Sequence, residues 1–362
     1  MKTEAQETTQ NSDKVSLSGM SKEELIQTFG TLPNWPKYRT DQVISWLYTK
    51  SSKTIDEWTN LGASLRKELK DNYEIPLLKK ASHLISKQDG TEKFLFQLPD
   101  GELVESVLMK FRDRTSLTAC ISSQVGCAVG CPFCATGKLG FKRNLTAAEI
   151  VDQVMSIQRE TGETINNLVF MGQGEPFNNL DNLIKAINIF REQVGIGVRH
   201  ITVSTSGLVP QIIELGKTKL QINLAISLHS AIQQTREKLV PVAKRWPLLE
   251  LTKALKQHFE DTGRRITFEY TMLKGINDSN EQAWALCDYV RDLPFPCLIN
   301  LIPFNATDSE FEKPSRKTID QFKSVVERSG RKVTVRVTLG DDINGACGQL
   351  ANKVASSQQT AL

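Results

Sequence analysis

The chain has 362 residues, 40% of them apolar and 24% charged, a globular balance with length for one large domain and an accessory one. Its net charge of +4 is too small to mark a nucleic-acid binder by itself, so any such surface must be local. No apolar run approaches the roughly 18–20 residues that span a bilayer, and the polar start lacks the apolar segment of a secretory signal.

Residues 1–19 are rich in Thr, Gln and Ser and predict a disordered tail. From 20 to 80 short helices are expected, forming a small accessory domain. Ser21 is placed to cap one over 22–30, and 40–50 and 64–73 carry helical apolar spacing. Asp-Gly turns at 89–90 and 100–101 separate runs at 82–87, 92–98 and 102–109, a short β meander within a connector at 81–112. From 113 to 342 apolar strands alternate with amphipathic helices. Strands are expected at 117–123, 166–172, 200–206, 221–229, 265–273 and 297–305, with a seventh at 332–338. Such βα repetition implies an α/β fold with a parallel sheet, by length a partial (βα)6 barrel. A doubly wound open sheet is the alternative. A C-terminal segment, 343–362, completes the chain.

Seven cysteines, an odd and scattered set, do not form a disulfide framework, so cytoplasmic metal or catalytic use is expected. Cys127-Ala-Val-Gly-Cys131-Pro-Phe-Cys134 places three of them in the loop after the first barrel strand. A structural zinc site wants a fourth ligand, and none is close in sequence. A [4Fe–4S] cluster held by three cysteines keeps one iron open for another ligand. Further polar groups fall at the carboxyl ends of later strands, where βα barrels build their active sites. They are Gly174-Glu175-Pro176, Ser204-Thr-Ser-Gly207, Ser227-Leu228-His229 and Asn305.

The CxxxCxxC spacing, with an aromatic before the last cysteine, resembles the signature of the radical S-adenosylmethionine (SAM) superfamily. The runs 120–127 and 134–145, the strand-end motifs, Ile302-Pro-Phe-Asn305 and Gly340-Asp-Asp-Ile-Asn-Gly-Ala-Cys347 narrow the resemblance to the radical SAM adenine methyltransferases of RNA, over roughly 20–355. The resemblance implies Cys127, Cys131 and Cys134 as cluster ligands, and Gly174, Glu175, Ser204, Ser227, Leu228, His229 and Asn305 as SAM contacts. It implies two SAM molecules per turnover. One methylates Cys347, and the other gives a 5′-deoxyadenosyl radical that activates the S-methyl group for addition to adenine. Cys120 then resolves the protein–RNA adduct through a transient disulfide with Cys347. The proton acceptor is placed at Glu105, which alternates with Leu103, Val107 and Met109 on an apolar face. A lone carboxylate there needs a partner or a job.

Two branches share these motifs. One methylates carbon 2 of an adenosine in large-subunit rRNA, and often of an anticodon-loop adenosine in tRNA. The other, the chloramphenicol–florfenicol resistance type, methylates carbon 8 of the same rRNA base. Pro176 and the run Gly340-Asp341-Asp342 favour the carbon-2 branch. Gln173 and Gly345 depart from it, where Met and Ala are usual. The implied partners are rRNA, tRNA and an electron donor such as flavodoxin or ferredoxin, with no membrane and a monomeric enzyme. Residues 34–80 hold nine lysines and arginines against six acids, interleaved with Trp35, Tyr38, Trp46, Tyr48 and Trp58, an expected RNA-binding surface. Lys138, Lys142 and Arg143 are expected beside the target base. Cys287 and Cys297 read as core. A zinc-bearing RNA-binding protein without catalysis is the reading from a different class.

Overall fold

The computed structural model describes residues 14–33, 35–111 and 115–352. The first strands are β1 (Val15–Ser16), β2 (Tyr73–Glu74), β3 (Lys79–Ile85), β4 (Glu92–Gln97), β5 (Leu103–Lys110), β6 (Leu117–Cys120), β7 (Gln124–Gly126) and β8 (Phe141–Asn144). Then come β9 (Ile165–Phe170), β10 (Ile201–Thr205), β11 (Asn223–Ser227), β12 (Ile266–Met272), β13 (Cys297–Pro303) and β14 (Lys332–Val335).

One ten-stranded sheet organises the molecule, in the order β14-β13-β12-β11-β10-β9-β6-β5-β4-β3. From β6 to β14 every pairing is parallel. The order never reverses, so there is no switch point and the doubly wound alternative is excluded. The meander is not a separate connector: β5 pairs antiparallel with β6, so β3–β5 extend the same sheet. Amphipathic helices at Ala147–Thr161, Val209–Lys217, Leu248–Thr262 and Arg316–Glu327 follow their strands. Burying one apolar face of each against the sheet is the main source of their stability.

Of the segment expected to be a disordered tail, 1–13 lie outside the described residues. Lys14–Gly19 depart from the expectation: β1 pairs parallel with β2 and Leu17 is fully buried. Ser21 caps Lys22–Gly30 through a capping box with Glu24. The aromatics of this region mostly build its core. Trp58 is fully buried, its indole N–H donating to Ser52 Oγ at 2.8 Å, and Trp35 stacks on Phe29. Tyr38 is exposed. Several lysines are already ion-paired, Lys70 with Asp56 and Lys67 with Asp71.

Candidate active site

The hairpin after β6 is built to present thiols. β7 and β8 close its base, and Cys127 N–H donates to Gly140 O at 2.9 Å. Gly126 has φ +73°, and a Cβ there would lie 1.8 Å from that same oxygen, so only glycine fits. Phe133 packs with Leu239, Val240, Leu273 and Phe304 and anchors the tip. Cys127, Cys131 and Cys134 are thereby brought to one cavity of about 150 Å³. Burial pushes the Cys127 thiol up to about 12 and the Cys131 thiol well above its ordinary value. Such thiols ionise when a metal centre draws off their protons. Thiolates on one zinc ion lie about 2.3 Å from it. Among the described residues no three His, Cys, Asp or Glu side chains converge for a single ion. Three thiols facing one cavity suit a cluster better.

The strand-end motifs line the same cavity: Gly174, Glu175, Ser204, Ser227 and His229. Gly174 has φ +96°, and a Cβ would meet Gln124 at 2.5 Å. This close approach places Glu175, whose carboxylate accepts the N–H groups of Ser206 at 2.7 Å and Phe177 at 3.1 Å. Glu175 is buried and has no basic partner among the described residues. Burial raises its pKa while these donors oppose the rise. An unpaired buried carboxylate fits the ammonium group of an amino-acid ligand such as SAM. His229 has φ +57°, a cost tolerated where surroundings enforce it. Its Nδ1 accepts Thr271 N–H at 3.0 Å, so the neutral ring carries its proton on Nε2. Burial, then the Arg236 charge, hold its pKa down to about 3. Buried Arg236, missed by the sequence reading, ties β10 to β11 by donating to the carbonyls of Ser206, Ser227 and Leu228.

Two expected SAM contacts are not among the residues that line this cavity, although Asn305 lines the adjoining one. Leu228 is fully buried and does not line the cavity. Asn305 Nδ2 donates to Cys347 O at 3.0 Å and its Oδ1 accepts from Thr338, so it supports the backbone of the Cys347 loop.

Cys347 lines the cluster cavity and also a smaller one, about 30 Å³, shared with Cys120 and Arg336. Burial pushes the Cys120 thiol up to about 12 and raises that of Cys347, while the Arg336 charge pulls both the other way. Arg336 was not singled out by sequence, although its alternation with Val335 and Val337 set it on the opposite face. Its guanidinium lies 3.4 Å from Met171 Sδ.

Glu105 lines none of these cavities. It is fully buried, pairs with Lys93 Nζ at 3.0 Å and accepts the N–H groups of Ala351 and Asn352. The segment after Cys347 is further fixed by Gln173 Nε2, which donates to Asn352 Oδ1 at 2.6 Å, and by Thr136 Oγ1, which donates to Leu350 O. Lys142 pairs with Glu102, and Arg143 with Asp100 and Glu149. Lys138 donates to Asp308 O. All three cations have partners within the protein. Cys287 and Cys297 are buried core residues, as expected.

The chain matches the Radical SAM superfamily over residues 121–287 and the ribosomal RNA large subunit methyltransferase N-terminal domain over 15–75. It is 45% identical to a probable dual-specificity RNA methyltransferase RlmN of Alkaliphilus oremlandii (strain OhILAs), over 94% of this chain and 98% of that one. It is 42% identical to the like-named protein of Clostridioides difficile (strain 630), over 94% and 98%. A solved structure, a radical SAM methyltransferase from Sphaerobacter thermophilus, superposes with a TM-score of 0.88 at 40% identity, covering 94% of this chain and 100% of that one. The thiol hairpin, the barrel rim and the extent of these likenesses lead to one assignment: the chain belongs to the RlmN family of radical SAM enzymes, which work with a [4Fe–4S] cluster and SAM.

Proposed function

We propose that this protein methylates carbon 2 of an adenosine in large-subunit rRNA, and of an anticodon-loop adenosine in tRNA. The observation that carries the reading is the position of Cys347, on the wall between the cavity of Cys127, Cys131 and Cys134 and the cavity of Cys120. A carrier of methyl groups has to meet both its source and its resolving partner.

When bound through the three hairpin thiols and Glu175, the cluster and SAM supply a 5′-deoxyadenosyl radical and, from a second SAM, a methyl group. The remaining steps belong to the chain. Cys347 receives the methyl group as a thiolate, the form that is nucleophilic, and Arg336 favours that form. Once carbon 2 is bonded to the carrier carbon and has lost its proton, the Cys120 thiolate attacks Cys347 sulfur. The bond from that sulfur to the carrier carbon breaks, the carbon leaves with the electron pair and is protonated to the methyl group, and a Cys120–Cys347 disulfide remains. Glu105 takes that proton after the C-terminal segment releases its carboxylate. Asn305 and Gln173 hold that segment in register. Ser204, Ser227 and the Nε2–H of His229 are offered to the ligand's polar groups.

The enzyme works as a cytoplasmic monomer reduced by a flavodoxin- or ferredoxin-type donor. None of its helices, among the described residues, is long and apolar enough to cross a membrane. Mass spectrometry of rRNA and tRNA from cells with and without the gene tests the assignment. Loss of 2-methyladenosine on deletion is expected; unchanged 2-methyladenosine, or 8-methyladenosine in its place, contradicts it.

A further inference from the structure

Below the cluster cavity lies a wider chamber of about 890 Å³, inside the ~300–1,000 Å³ range of pockets that enclose small ligands. It occupies the barrel interior and reaches the open side, where residues after β14 face the β3–β4 turn. Met171 lines this chamber, the cluster cavity and the Cys120–Cys347 cavity alike. All three spaces therefore meet at one side chain, with Glu269 shared by the chamber and the cluster cavity.

The walls change character along their length. At the outer end, Arg199 and Arg265 stand just before β10 and β12, the two strands that flank β11, on the N-terminal side of the sheet. Both are exposed, and neither has an acidic partner within ion-pair distance among the described residues. Other cations near the site, Lys142 and Arg143, are neutralised by carboxylates. At the inner end, Met109 and Met171 offer apolar faces. There Glu269 is buried beside the Arg336 guanidinium, which also lines the chamber, and one of its carboxylate oxygens accepts from Asn300 Nδ2 at 2.8 Å. Arg265, one residue before β12, and Glu269 within it are four residues apart, about 13 Å if the strand rise extends to Arg265. That span suits one nucleotide laid along the wall.

A base inside a helix or a stacked loop is beyond reach of buried chemistry, so enzymes acting on it draw it out into a pocket. We propose that this chamber takes the extruded target nucleotide, with flanking phosphates on Arg199 and Arg265 and the base against Met171. Glu269 accepts a hydrogen bond from the exocyclic amine of adenine. A guanine in the same pose would turn a carbonyl oxygen toward that carboxylate and lose this hydrogen bond. The inference rests on the RNA methyltransferase reading above and adds to it an entry route and a source of base selectivity.

Reconstituted holoenzyme is assayed on a fluorescein-labelled RNA hairpin with the target adenosine, and on the same hairpin with purine riboside at that position. For Arg199→Glu/Arg265→Glu, the RNA KM should rise ten-fold or more. The slope of log affinity against log salt should shrink by roughly 1.4, two phosphate contacts at about 0.7 each for single strands. Arg199→Lys/Arg265→Lys should keep affinity within about three-fold. For Glu269→Gln, the preference for adenosine over purine riboside should fall ten-fold or more in kcat/KM. An unchanged KM and salt slope in the charge-reversed enzyme, with wild-type methylation intact, overturns the chamber assignment and leaves the activity standing. Absence of RNA methylation by the wild-type holoenzyme overturns both.

Discussion

Glu105 Oε2 accepts the backbone N–H of Ala351 at 2.7 Å, across 246 positions of sequence. The proposed base is thus also the clasp of the segment that follows Cys347, with Lys93 bound to its other oxygen. Removing one partner of a buried ion pair costs about 3–5 kcal/mol. Glu105→Gln should lower stability by an amount of that order, read as a shift in the urea midpoint. Lys93→Met/Glu105→Gln should recover much of it, because no buried charge is left alone. If Glu105 is the base, both variants form the protein–RNA adduct but resolve it slowly. Full turnover by the double variant would reduce Glu105 to a clasp.

Arg336 shares a cavity with both redox thiols. Burial raises the pKa of Cys347, and the Arg336 charge opposes that rise. In Arg336→Gln the thiol should titrate higher, so at a given pH below it less thiolate is present, about ten-fold less per unit. S-methylation of Cys347, followed by mass spectrometry from pH 7 to 9.5, should be slowed throughout, the wild-type rate returning only above the variant thiol's own, higher pKa. A pH profile identical to wild type would remove Arg336 from thiol activation.

His229 gives a stability test. Its folded pKa is held to about 3, against about 6.5 in an unfolded chain. Between these values the unfolded state binds a proton that the folded state refuses. Stability present above pH 6.5 is therefore lost as pH falls toward 3. From pH 6.5 to 5 the loss is about 2 kcal/mol, at ~1.4 kcal/mol per unit. In His229→Asn the amide oxygen can accept Thr271 N–H and nothing titrates, so urea unfolding of the cluster-free protein should show that much less acid sensitivity. Equal sensitivity in the two proteins would contradict the buried neutral ring.

What sequence revealed and what it hid divides by range. The thiol hairpin and the Gly174–Glu175 turn were legible because their residues are neighbours and their chemistry is set by spacing. The carboxyl ends of the expected strands located the rim hydroxyls. The Lys93–Glu105 pair, the support of Cys347 by Asn305 and the burial of Arg236 were not legible. Each joins residues from distant strands, and no local pattern records which polar groups will meet. The aromatics between 34 and 80 were read as part of an RNA-binding surface, yet a small core needs the same large flat side chains, and packing took most of them into the core.

The two departures from the carbon-2 pattern separate on the same ground. A Cβ at Gly345 would meet Gly340 O at 3.4 Å, with no positive φ to strain, so Gly345→Ala should move Tm by no more than about 2 °C. Gln173 is buried and bonds Asn352. Gln173→Met should loosen the C-terminal segment, seen as faster hydrogen exchange at 349–352. Unchanged exchange there would mean that Glu105 and Thr136 hold the segment without Gln173.

The methyl-carrier mechanism rests on the unequal duties of two thiols that share one cavity. Denaturing electrophoresis of RNA-reacted Cys120→Ala and Cys347→Ala enzymes measures that inequality. Cys120→Ala retains the carrier and lacks the resolving thiol, so a covalent protein–RNA band that nuclease shortens should accumulate. Cys347→Ala should give neither band nor methylated RNA. Normal RNA methylation by Cys347→Ala would contradict the account.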